Sequence, residues 1–208
     1  MFYFVKTPWL VKKIYHSYTW QVSTNEKELY LTFDDGPHPT ITKFVLDQLK
    51  QFNAKATFFC IGKNVIAHQE VYQEILNEGH SVGNHTQNHM NGWQTPDEVY
   101  LNDISDAASV IDSPFFRPPY GRIRSSQASR IKTAMRRDDA CLLMWDVLSG
   151  DFDQSLSKEK CFENVAKKSE PGSIIVFHDS EKAYPRLGYA LPKCLEYFSN
   201  KGYLFKNL

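Results

Sequence analysis

From residue 28 onward, short apolar runs alternate with longer segments in which apolar residues recur at helical spacing. The apolar runs that we interpret as strands are 28–33, 55–61, 81–83, 115–117, 141–146, 173–178 and 203–205. The segments that we interpret as helices are 40–51, 64–78, 96–111, 125–137, 157–169 and 186–199. Strands that alternate with helices in this way are typical of repeated β-α units. The pattern therefore predicts an α/β fold with a largely parallel sheet.

The length of the chain, 208 residues, suits one sizeable domain that buries its own core. No internal repeat or low-complexity linker interrupts the alternation of strands and helices. We therefore predict a single domain over residues 28–208, preceded by an arm, residues 1–27, that packs on it. The aromatic and basic residues of the arm also suit a membrane surface, but its shortness favours the packed arrangement.

The charge balance argues against some partners. Lysine plus arginine and aspartate plus glutamate both total 24, so the formal net charge is zero and a nucleic-acid partner is not expected. No stretch approaches the roughly 18 uncharged apolar residues that span a bilayer. The first residues also lack the basic and apolar regions of a signal peptide. We therefore predict a cytoplasmic protein with no obligate protein partner, and leave export or envelope association open as the alternatives.

Polar side chains follow the predicted strands at the points where the strands end. They are Asp34 and Asp35 after the first strand, His85 and His89 after the third, Arg117 to Tyr120 after the fourth, Asp151 after the fifth and His178 after the sixth. In a parallel α/β architecture the carboxyl ends of the strands share one face, so residues distant in sequence meet there. One functional site is therefore predicted at that face.

Two adjacent carboxylates, Asp34 and Asp35, repel each other and need a cation nearby. Arg117 could supply a fixed positive charge, and the histidines could supply a metal ion. His85 and His89 are four residues apart, which on a helical turn places both imidazoles on the same side. Two histidines and one aspartate with open positions are typical of a hydrolytic zinc site. Histidine pairs at this spacing also occur on solvated loops, so the pair alone does not decide between the two interpretations.

Five short motifs occur in order between residues 28 and 205. They are Thr32-Phe33-Asp34-Asp35-Gly36, His85-Thr86-Gln87-Asn88-His89, Arg117-Pro118-Pro119-Tyr120, Asp151-Phe152 and Val176-Phe177-His178. Together they resemble the motifs of the polysaccharide deacetylases of the NodB-homology type, also called carbohydrate esterase family four. Five motifs in the family's order form a specific signal, whereas any one would be weak. The resemblance implies that residues 28–208 form a catalytic domain with a distorted, incomplete (β/α) barrel of about seven strands.

The resemblance also implies an activity and a cofactor. The expected enzyme is a metal-dependent hydrolase that removes N-acetyl groups from an amino-sugar polymer or oligomer of the chitooligosaccharide or peptidoglycan type. By resemblance, Asp35, His85 and His89 bind one divalent metal ion, and Asp34 is the catalytic base. Zinc is the expected ion, with Co²⁺, Ni²⁺ and Mn²⁺ as alternatives.

The remaining catalytic roles are likewise implied by the resemblance. Arg117 holds Asp34 ionised and oriented. The backbone N–H of Tyr120 stabilises the oxyanion, because a preorganised donor stabilises charge that develops in the transition state. His178 protonates the leaving nitrogen, and Asp151 favours the charged imidazole by its own charge and by a hydrogen bond.

Substrate contacts are predicted from apolar and aromatic residues near the motifs. Phe152 stands where the family usually has Trp, and Val176 stands where it usually has Leu. By resemblance, both belong to the pocket for the acetyl methyl. The sequence therefore predicts the reaction type better than it predicts which acyl group or sugar the site prefers. Trp93 and Tyr184 are the preferred candidates for stacking on a sugar ring. Trp145 lies inside a predicted strand, and core packing is expected for it.

Two other functions compete with N-deacetylation. An esterase acting on O-acetylated sugars could use the same machinery, because a better leaving group needs less from His178. A carbohydrate-binding protein could retain the fold without catalysis, although the presence of every expected catalytic and metal-binding residue argues against it. The sequence does not define the glycan, its chain length or the oligomeric state.

Overall fold

The structure is a computed structural model that describes residues 3–208. Met1 and Phe2, which belong to the predicted arm, lie outside the described residues. The strands are β1 (Glu28–Asp34), β2 (Ala56–Cys60), β3 (Ser81–Asn84), β4 (Phe115–Phe116), β5 (Cys141–Leu142), β6 (Val147–Leu148), β7 (Ile174–His178) and β8 (Leu204–Phe205). The helices are α1 (Trp9–Ile14), α2 (Ile41–Gln51), α3 (Gly62–Ala67), α4 (Gln69–Asn77), α5 (Asp97–Ala108), α6 (Ser125–Ala128), α7 (Ile131–Met135), α8 (Lys158–Lys168) and α9 (Tyr184–Ser199).

The strands form one curled parallel sheet in the order β5-β4-β3-β2-β1-β7-β6, and β8 adds to the start of β1. Helices lie between successive strands along most of the chain, as parallel connections require. The predicted α/β fold, a distorted and incomplete (β/α) barrel, is therefore confirmed.

The predicted strand 141–146 is divided between the two ends of this sheet. Its first part, β5, pairs with β4, whereas β6 pairs with β7 at the opposite end. The four residues between them continue both ladders, since Leu143 N donates to Phe116 O at 2.9 Å and Asp146 N donates to Ile174 O at 3.0 Å. Residues 141–148 therefore form the edge strands at both ends of the curled sheet.

Two predicted helices are broken in the structure. The predicted helix 64–78 becomes α3 and α4, which are separated at His68. Val65 and Val71 are both buried, although six residues would place them about 120° apart around an unbroken helix. The break lets both helices turn an apolar side chain to the core. The predicted helix 125–137 becomes α6 and α7, and it ends at Met135 because Arg136 takes a left-handed conformation.

Residues 5–7 of the N-terminal arm lie along β6 and the residue before it. Val5 O accepts a hydrogen bond from Leu148 N at 2.8 Å, and Thr7 N donates to Asp146 O at 2.8 Å. Lys6 Nζ also pairs with the buried carboxylate of Asp146 at 2.7 Å. These are contacts that a packed arm requires, while the division into an arm and a domain at residue 28 stays a prediction.

The two faces of β1 have different neighbours. Phe33 stacks between Phe58 and Phe177 in the apolar layer beneath the helices, with ring centroids 5.1 and 6.1 Å away. Thr32 and Asp34 alternate with Phe33, so they face the inside of the curled sheet. The end of β1 therefore presents a carboxylate to the mouth of the barrel.

Among residues 3–208, none of the helices combines the length and the apolar character needed to cross a bilayer. The cellular location stays a prediction.

Candidate active site

The two adjacent carboxylates occupy different environments. Asp34 is the last residue of β1 and is almost completely buried, whereas Asp35 lies beyond the strand with a φ of 85°. Aspartate tolerates this left-handed region better than most residues, although it still costs free energy. The change of backbone conformation between the two residues turns their side chains apart.

Asp179 lies directly behind this turn. Its carboxylate accepts a hydrogen bond from Gly36 N at 2.9 Å and a short one from Thr42 Oγ1. A Cβ atom at position 36 would lie 2.1 Å from Asp179 Oδ2, so only glycine fits there. Burial raises the pKa of Asp179 to about 7. These contacts agree with a structural role for Asp179.

Asp35, His85 and His89 bring three ligand atoms together, all within 4.8 Å of one another. Asp35 Oδ1 lies 3.1 Å from Nε2 of His89 and 3.8 Å from Nε2 of His85. This oxygen is buried, yet it makes no well-aligned hydrogen bond to any described residue. Burial acts to raise the pKa of Asp35, but the imidazoles around it hold that pKa well below its usual range. An ionised carboxylate facing two imidazole nitrogens fits a divalent metal ion.

The orientation of His85 suits metal binding. Its Nδ1–H donates to the carbonyl oxygen of Arg117 at 2.8 Å, because a carbonyl can only accept. Its Nε2 therefore keeps a lone pair that faces Asp35. Burial lowers the pKa of His85 to about 4, so the imidazole is neutral near pH 7. On the other side, His89 Nδ1 lies 3.1 Å from the hydroxyl of Tyr120.

The predicted helical turn between His85 and His89 is wrong. The segment is a loop that follows β3, and both Thr86 and His89 have positive φ values, 65° and 59°. The imidazole centroids are nevertheless 5.2 Å apart. The loop brings the rings together by backbone turns that a helix would not contain.

Asp103, which the sequence analysis missed, holds this loop in place. Its carboxylate accepts hydrogen bonds from the backbone N–H groups of Gln87 and Asn88, both at 3.0 Å, and from Asn88 Nδ2 at 2.7 Å. Asp103 is buried on α5, on the same face as Tyr100 and Ile104. The available signal was an acidic residue at helical spacing among buried apolar ones.

Arg117 is fully buried and uses its guanidinium to connect several parts of the site. Its Nη1 donates to Asp34 Oδ1 at 2.6 Å and to Thr32 Oγ1 at 2.7 Å, and its Nη2 donates to Met144 O at 2.9 Å. The guanidinium also stacks 3.9 Å from the ring of Phe59. Burial lowers the pKa of Arg117, and the Asp34 carboxylate opposes that effect. Asp34 therefore has the fixed cation that its position requires.

His178 and Asp151 form a close pair on the other side of the mouth. Asp151 Oδ1 lies 2.7 Å from His178 Nδ1, and Asp151 Oδ2 accepts the His178 backbone N–H at 2.7 Å. Burial acts to lower the pKa of His178, but the charge of Asp151 and its hydrogen bond raise that pKa to about 10. The imidazole is therefore cationic near neutral pH. Because Nδ1 faces Asp151, Nε2 remains available as a proton donor.

The sheet register places the two halves of the site side by side. Asp34 is the Cα partner of His178 across the β1–β7 ladder. Neighbouring strands are about 4.8 Å apart, so both side chains reach the same small volume. Asp35, His85 and His89 border that volume from the turn after β1 and the loop after β3.

The predicted acyl-pocket residues lie next to this volume. The ring of Phe152 meets the imidazole of His178 edge to face, with centroids 5.3 Å apart. Val176 is fully buried in β7, and it shares the inward face with its register partner Thr32. Tyr120 is 56% exposed in the short 3₁₀ helix Pro119–Gly121, where its φ is 60°. The role of its backbone N–H as an oxyanion donor stays a prediction.

The aromatic residues predicted to bind sugar are both exposed. Trp93 is 57% exposed, and the guanidinium of Arg122 lies 5.2 Å from its ring. Tyr184 is 42% exposed, packs edge-on against Phe44 at 5.5 Å, and borders a depression of about 300 Å³. Trp145 packs against buried apolar residues, as expected. Exposed rings are available for stacking, and the sugar-binding role of Trp93 and Tyr184 stays a prediction.

The fold, together with the side chains at the carboxyl ends of its strands, defines a class of protein. Three side chains that could hold a metal ion, a carboxylate paired with a buried arginine and a cationic histidine converge on one volume at the carboxyl ends of the strands. Activated water, a base and an acid are what hydrolysis of a stable amide requires. The molecule is a hydrolase built on a parallel (β/α) sheet.

Comparison with known proteins identifies the family. The family described as polysaccharide deacetylase matches residues 21–136. A peptidoglycan-N-acetylglucosamine deacetylase of Bacillus cereus is 36% identical over 192 residues, which cover 90% of this chain and 89% of that protein. A chitooligosaccharide deacetylase of Azorhizobium caulinodans is 30% identical over 166 residues, which cover 76% and 77% of the two chains.

A solved structure gives the same result. It is a peptidoglycan N-acetylglucosamine deacetylase in complex with 4-naphthalen-1-yl-N-oxidanyl-benzamide, and it is 33% identical to this chain. The match covers 97% of this chain and 95% of that one, with a TM-score of 0.85. The chain therefore belongs to the polysaccharide deacetylase family, and the predicted enzyme class is confirmed. The family is metal-dependent, in agreement with the possible metal-binding triad of Asp35, His85 and His89.

Proposed function

We propose that this protein removes N-acetyl groups from an amino-sugar polymer or oligomer of the peptidoglycan or chitooligosaccharide type. The observation that carries the proposal is the separation of two adjacent carboxylates. Asp35 faces two imidazoles, whereas Asp34 is bound to a buried arginine. This separation supports an ion-binding role for Asp35 and a proton-accepting role for Asp34. The relatives named as deacetylases of these glycans support the substrate class.

Zinc is the ion that we assign to Asp35, His85 and His89. Imidazole and carboxylate ligands suit Zn²⁺ well, and they also accept Co²⁺, Ni²⁺ and Mn²⁺. When bound, the ion supplies Lewis-acid chemistry, which lowers the pKa of water and polarises the acetyl carbonyl. The protein itself contributes the deprotonated carboxylate and the neutral imidazole of His85 that such a site needs.

Asp34 is the residue that we assign to the proton of the attacking water. Its Oδ1 accepts a hydrogen bond from Arg117, so a fixed cation lies next to the proposed base. The attacking oxygen forms a bond to the acetyl carbon, and its proton passes to the Asp34 carboxylate. The backbone N–H of Tyr120 is placed by this proposal on the resulting oxyanion.

His178 completes the reaction by protonating the leaving group. Its Nε2–H is transferred to the sugar nitrogen as the bond between that nitrogen and the acetyl carbon breaks. The products are acetate and the free amine. Asp151 stabilises the imidazolium before transfer and fixes the ring so that Nε2 points away from it.

Acetate release from a panel of glycans tests the proposed function. The purified protein, with its metal content measured by elemental analysis, is incubated with peptidoglycan fragments, chitin oligomers and acetylated xylan. We expect zinc and acetate release from at least one of the two N-acetylated substrates. Release from xylan alone would replace the proposal with an O-acetyl esterase. Binding of a glycan without release from any substrate would replace it with a carbohydrate-binding protein.

The pH dependence of activity provides a separate test of the proton donor. Activity should fall as pH rises through the pKa of His178, because only the protonated imidazole can donate. Replacing Asp151 with asparagine removes the charge that raises this pKa. The alkaline limb of kcat/KM should therefore move to lower pH by about one to three pH units, the usual effect of one adjacent opposite charge. The profile is measured from pH 5 to 11 with the preferred substrate of the panel.

The matched control is Asp139→Asn, which removes an exposed carboxylate paired with Arg137. Its profile should coincide with that of the wild type. An alkaline limb that stays in place in Asp151→Asn would remove His178 from the role of acid.

A further inference from the structure

Tyr3, the first residue that the structure describes, contacts Phe152 next to the proposed active site. Tyr3 is half-buried, and its ring centroid lies 5.1 Å from that of Phe152 at an angle of 59°. Its hydroxyl donates to Asp153 Oδ2 at 3.0 Å. Both contacts join the arm to the loop that follows β6, 149 and 150 positions later in the sequence. The family match begins at residue 21, so it does not include Tyr3.

Backbone interactions fix the position of the arm next to Tyr3. Residues Val5 to Thr7 run beside the segment that ends in β6, with an antiparallel bridge between Lys6 and Val147. A Cβ atom at Gly150 would lie 2.9 Å from the hydroxyl of Tyr3. Tyr3 is therefore in close contact with the backbone of the loop 149–153.

That loop carries two parts of the proposed chemistry. Asp151 binds the imidazole of His178, and Phe152 covers the same imidazole edge to face at 5.3 Å. Phe152 is itself only partly buried, and the ring of Tyr3 packs against it with centroids 5.1 Å apart. Removing the Tyr3 ring would leave space into which Phe152 could move, and a wider pocket would result.

We infer that Tyr3 is a positioning residue that fixes Phe152 beside His178 and thereby limits the size of the acyl group that the site accepts. The inference rests on the proposed function, because it concerns the pocket beside the reacting carbonyl. It extends the site to the N-terminal arm. Acyl preference then depends on a residue of the arm as well as on the pocket residues Phe152 and Val176.

The acyl preference of Tyr3→Ala tests this inference. N-acetyl and N-propionyl forms of the same glucosamine oligomer are compared by kcat and KM for each. The ratio of kcat/KM for propionyl over acetyl should rise about tenfold in Tyr3→Ala, near the lower end of what one methylene is worth in a pocket. Tyr3→Phe retains the ring and should keep the wild-type ratio. Tyr15→Ala removes a half-exposed tyrosine of the same arm that stacks on Tyr18, and it should also keep the wild-type ratio.

A second readout does not depend on turnover. The imidazole resonances of His178, assigned by their loss in His178→Gln, should shift in Tyr3→Ala because the neighbouring ring of Phe152 moves. They should not shift in Tyr15→Ala. If the wild type releases neither acyl group, the proposed function fails, and these resonances still decide whether Tyr3 positions Phe152.

Three outcomes would overturn the inference. The acyl ratio and the His178 resonances of Tyr3→Ala could both match those of the wild type. Tyr15→Ala could change them as much as Tyr3→Ala does, which would indicate a general effect of the arm. Tyr3→Phe could change them equally, which would assign the effect to the hydrogen bond with Asp153. If Tyr3→Ala does not fold, Tyr3→Leu takes its place with a smaller shift expected in the same direction.

Discussion

Asp34→Asn is expected to keep its metal ion and to lose about 10²- to 10⁴-fold in kcat, the contribution usual for a general base. Asparagine has nearly the shape of aspartate, so the hydrogen-bonded position beside Arg117 can be retained. It cannot accept a proton from water at neutral pH. Asp34 is also outside the triad of Asp35, His85 and His89, so metal binding should persist. Elemental analysis and acetate release, measured on the same preparation, check both parts.

The triad variants should behave in the opposite way. Asp35→Ala, His85→Ala and His89→Ala each remove one of three converging ligand atoms, and we expect each to lose metal and activity together. Circular dichroism shows whether each variant is folded. The assignment of the two carboxylates would have to be abandoned if Asp34→Asn lost its metal, or if the triad variants kept both metal and turnover.

Arg117→Met is expected to be inactive and to lose about 3–5 kcal/mol of unfolding free energy, the usual cost of breaking a buried ion pair. Methionine replaces much of the volume of the side chain but none of its charge. The carboxylate of Asp34 would then lie buried without a cation, and the carbonyl of Met144 would lose a donor. Urea denaturation measures the stability, and acetate release measures the activity.

Two further variants test whether the loss of stability comes from leaving the buried carboxylate of Asp34 unpaired. Arg130→Met breaks an exposed pair with Glu98 and should change the stability far less than Arg117→Met. The double variant Asp34→Asn with Arg117→Met removes both members of the buried pair, so it should regain part of the lost stability while remaining inactive. Equal stability of Arg117→Met and the wild type would contradict the proposed pairing.

Much of the site could be predicted because its chemistry demands particular side chains at the ends of strands. The resemblance could assign Asp35 to the metal and Asp34 to the base because the motif contains both. The reason for the division is structural, since Asp35 has a φ of 85° and Asp34 does not leave the strand. The sequence does not show that change of conformation.

The helical turn between His85 and His89 could not be distinguished from a loop by spacing alone. A separation of four residues suits a helix, but two left-handed residues bring the rings together as well. The deciding interaction comes from Asp103, on a helix that begins after the loop has ended. The sequence does contain the buried acidic residue, although it does not show which backbone groups it binds.

The fold was predictable where one apolar run forms one strand, and less so where the two ends of a run pair with different neighbours. β1 and β7 match their predicted ranges closely because each is a continuous apolar run. The run 141–146 reads as one strand, but pairing with two different neighbours divides it. The contact of Tyr3 with Phe152 has no local pattern at all, because it depends on tertiary packing across most of the chain.

Residues 141–148 join the two edges of the sheet, and this affects how the molecule opens. β4 leads to Arg117 at one edge and β7 ends at His178 near the other, so the same eight residues border both walls of the cleft. Separating either edge breaks hydrogen bonds of that one segment. Native proteins open in contiguous cooperative units, and this connection places both walls in one unit. The amide hydrogens of Leu143 and Asp146, bonded to opposite edges, should therefore exchange with solvent at closely similar rates.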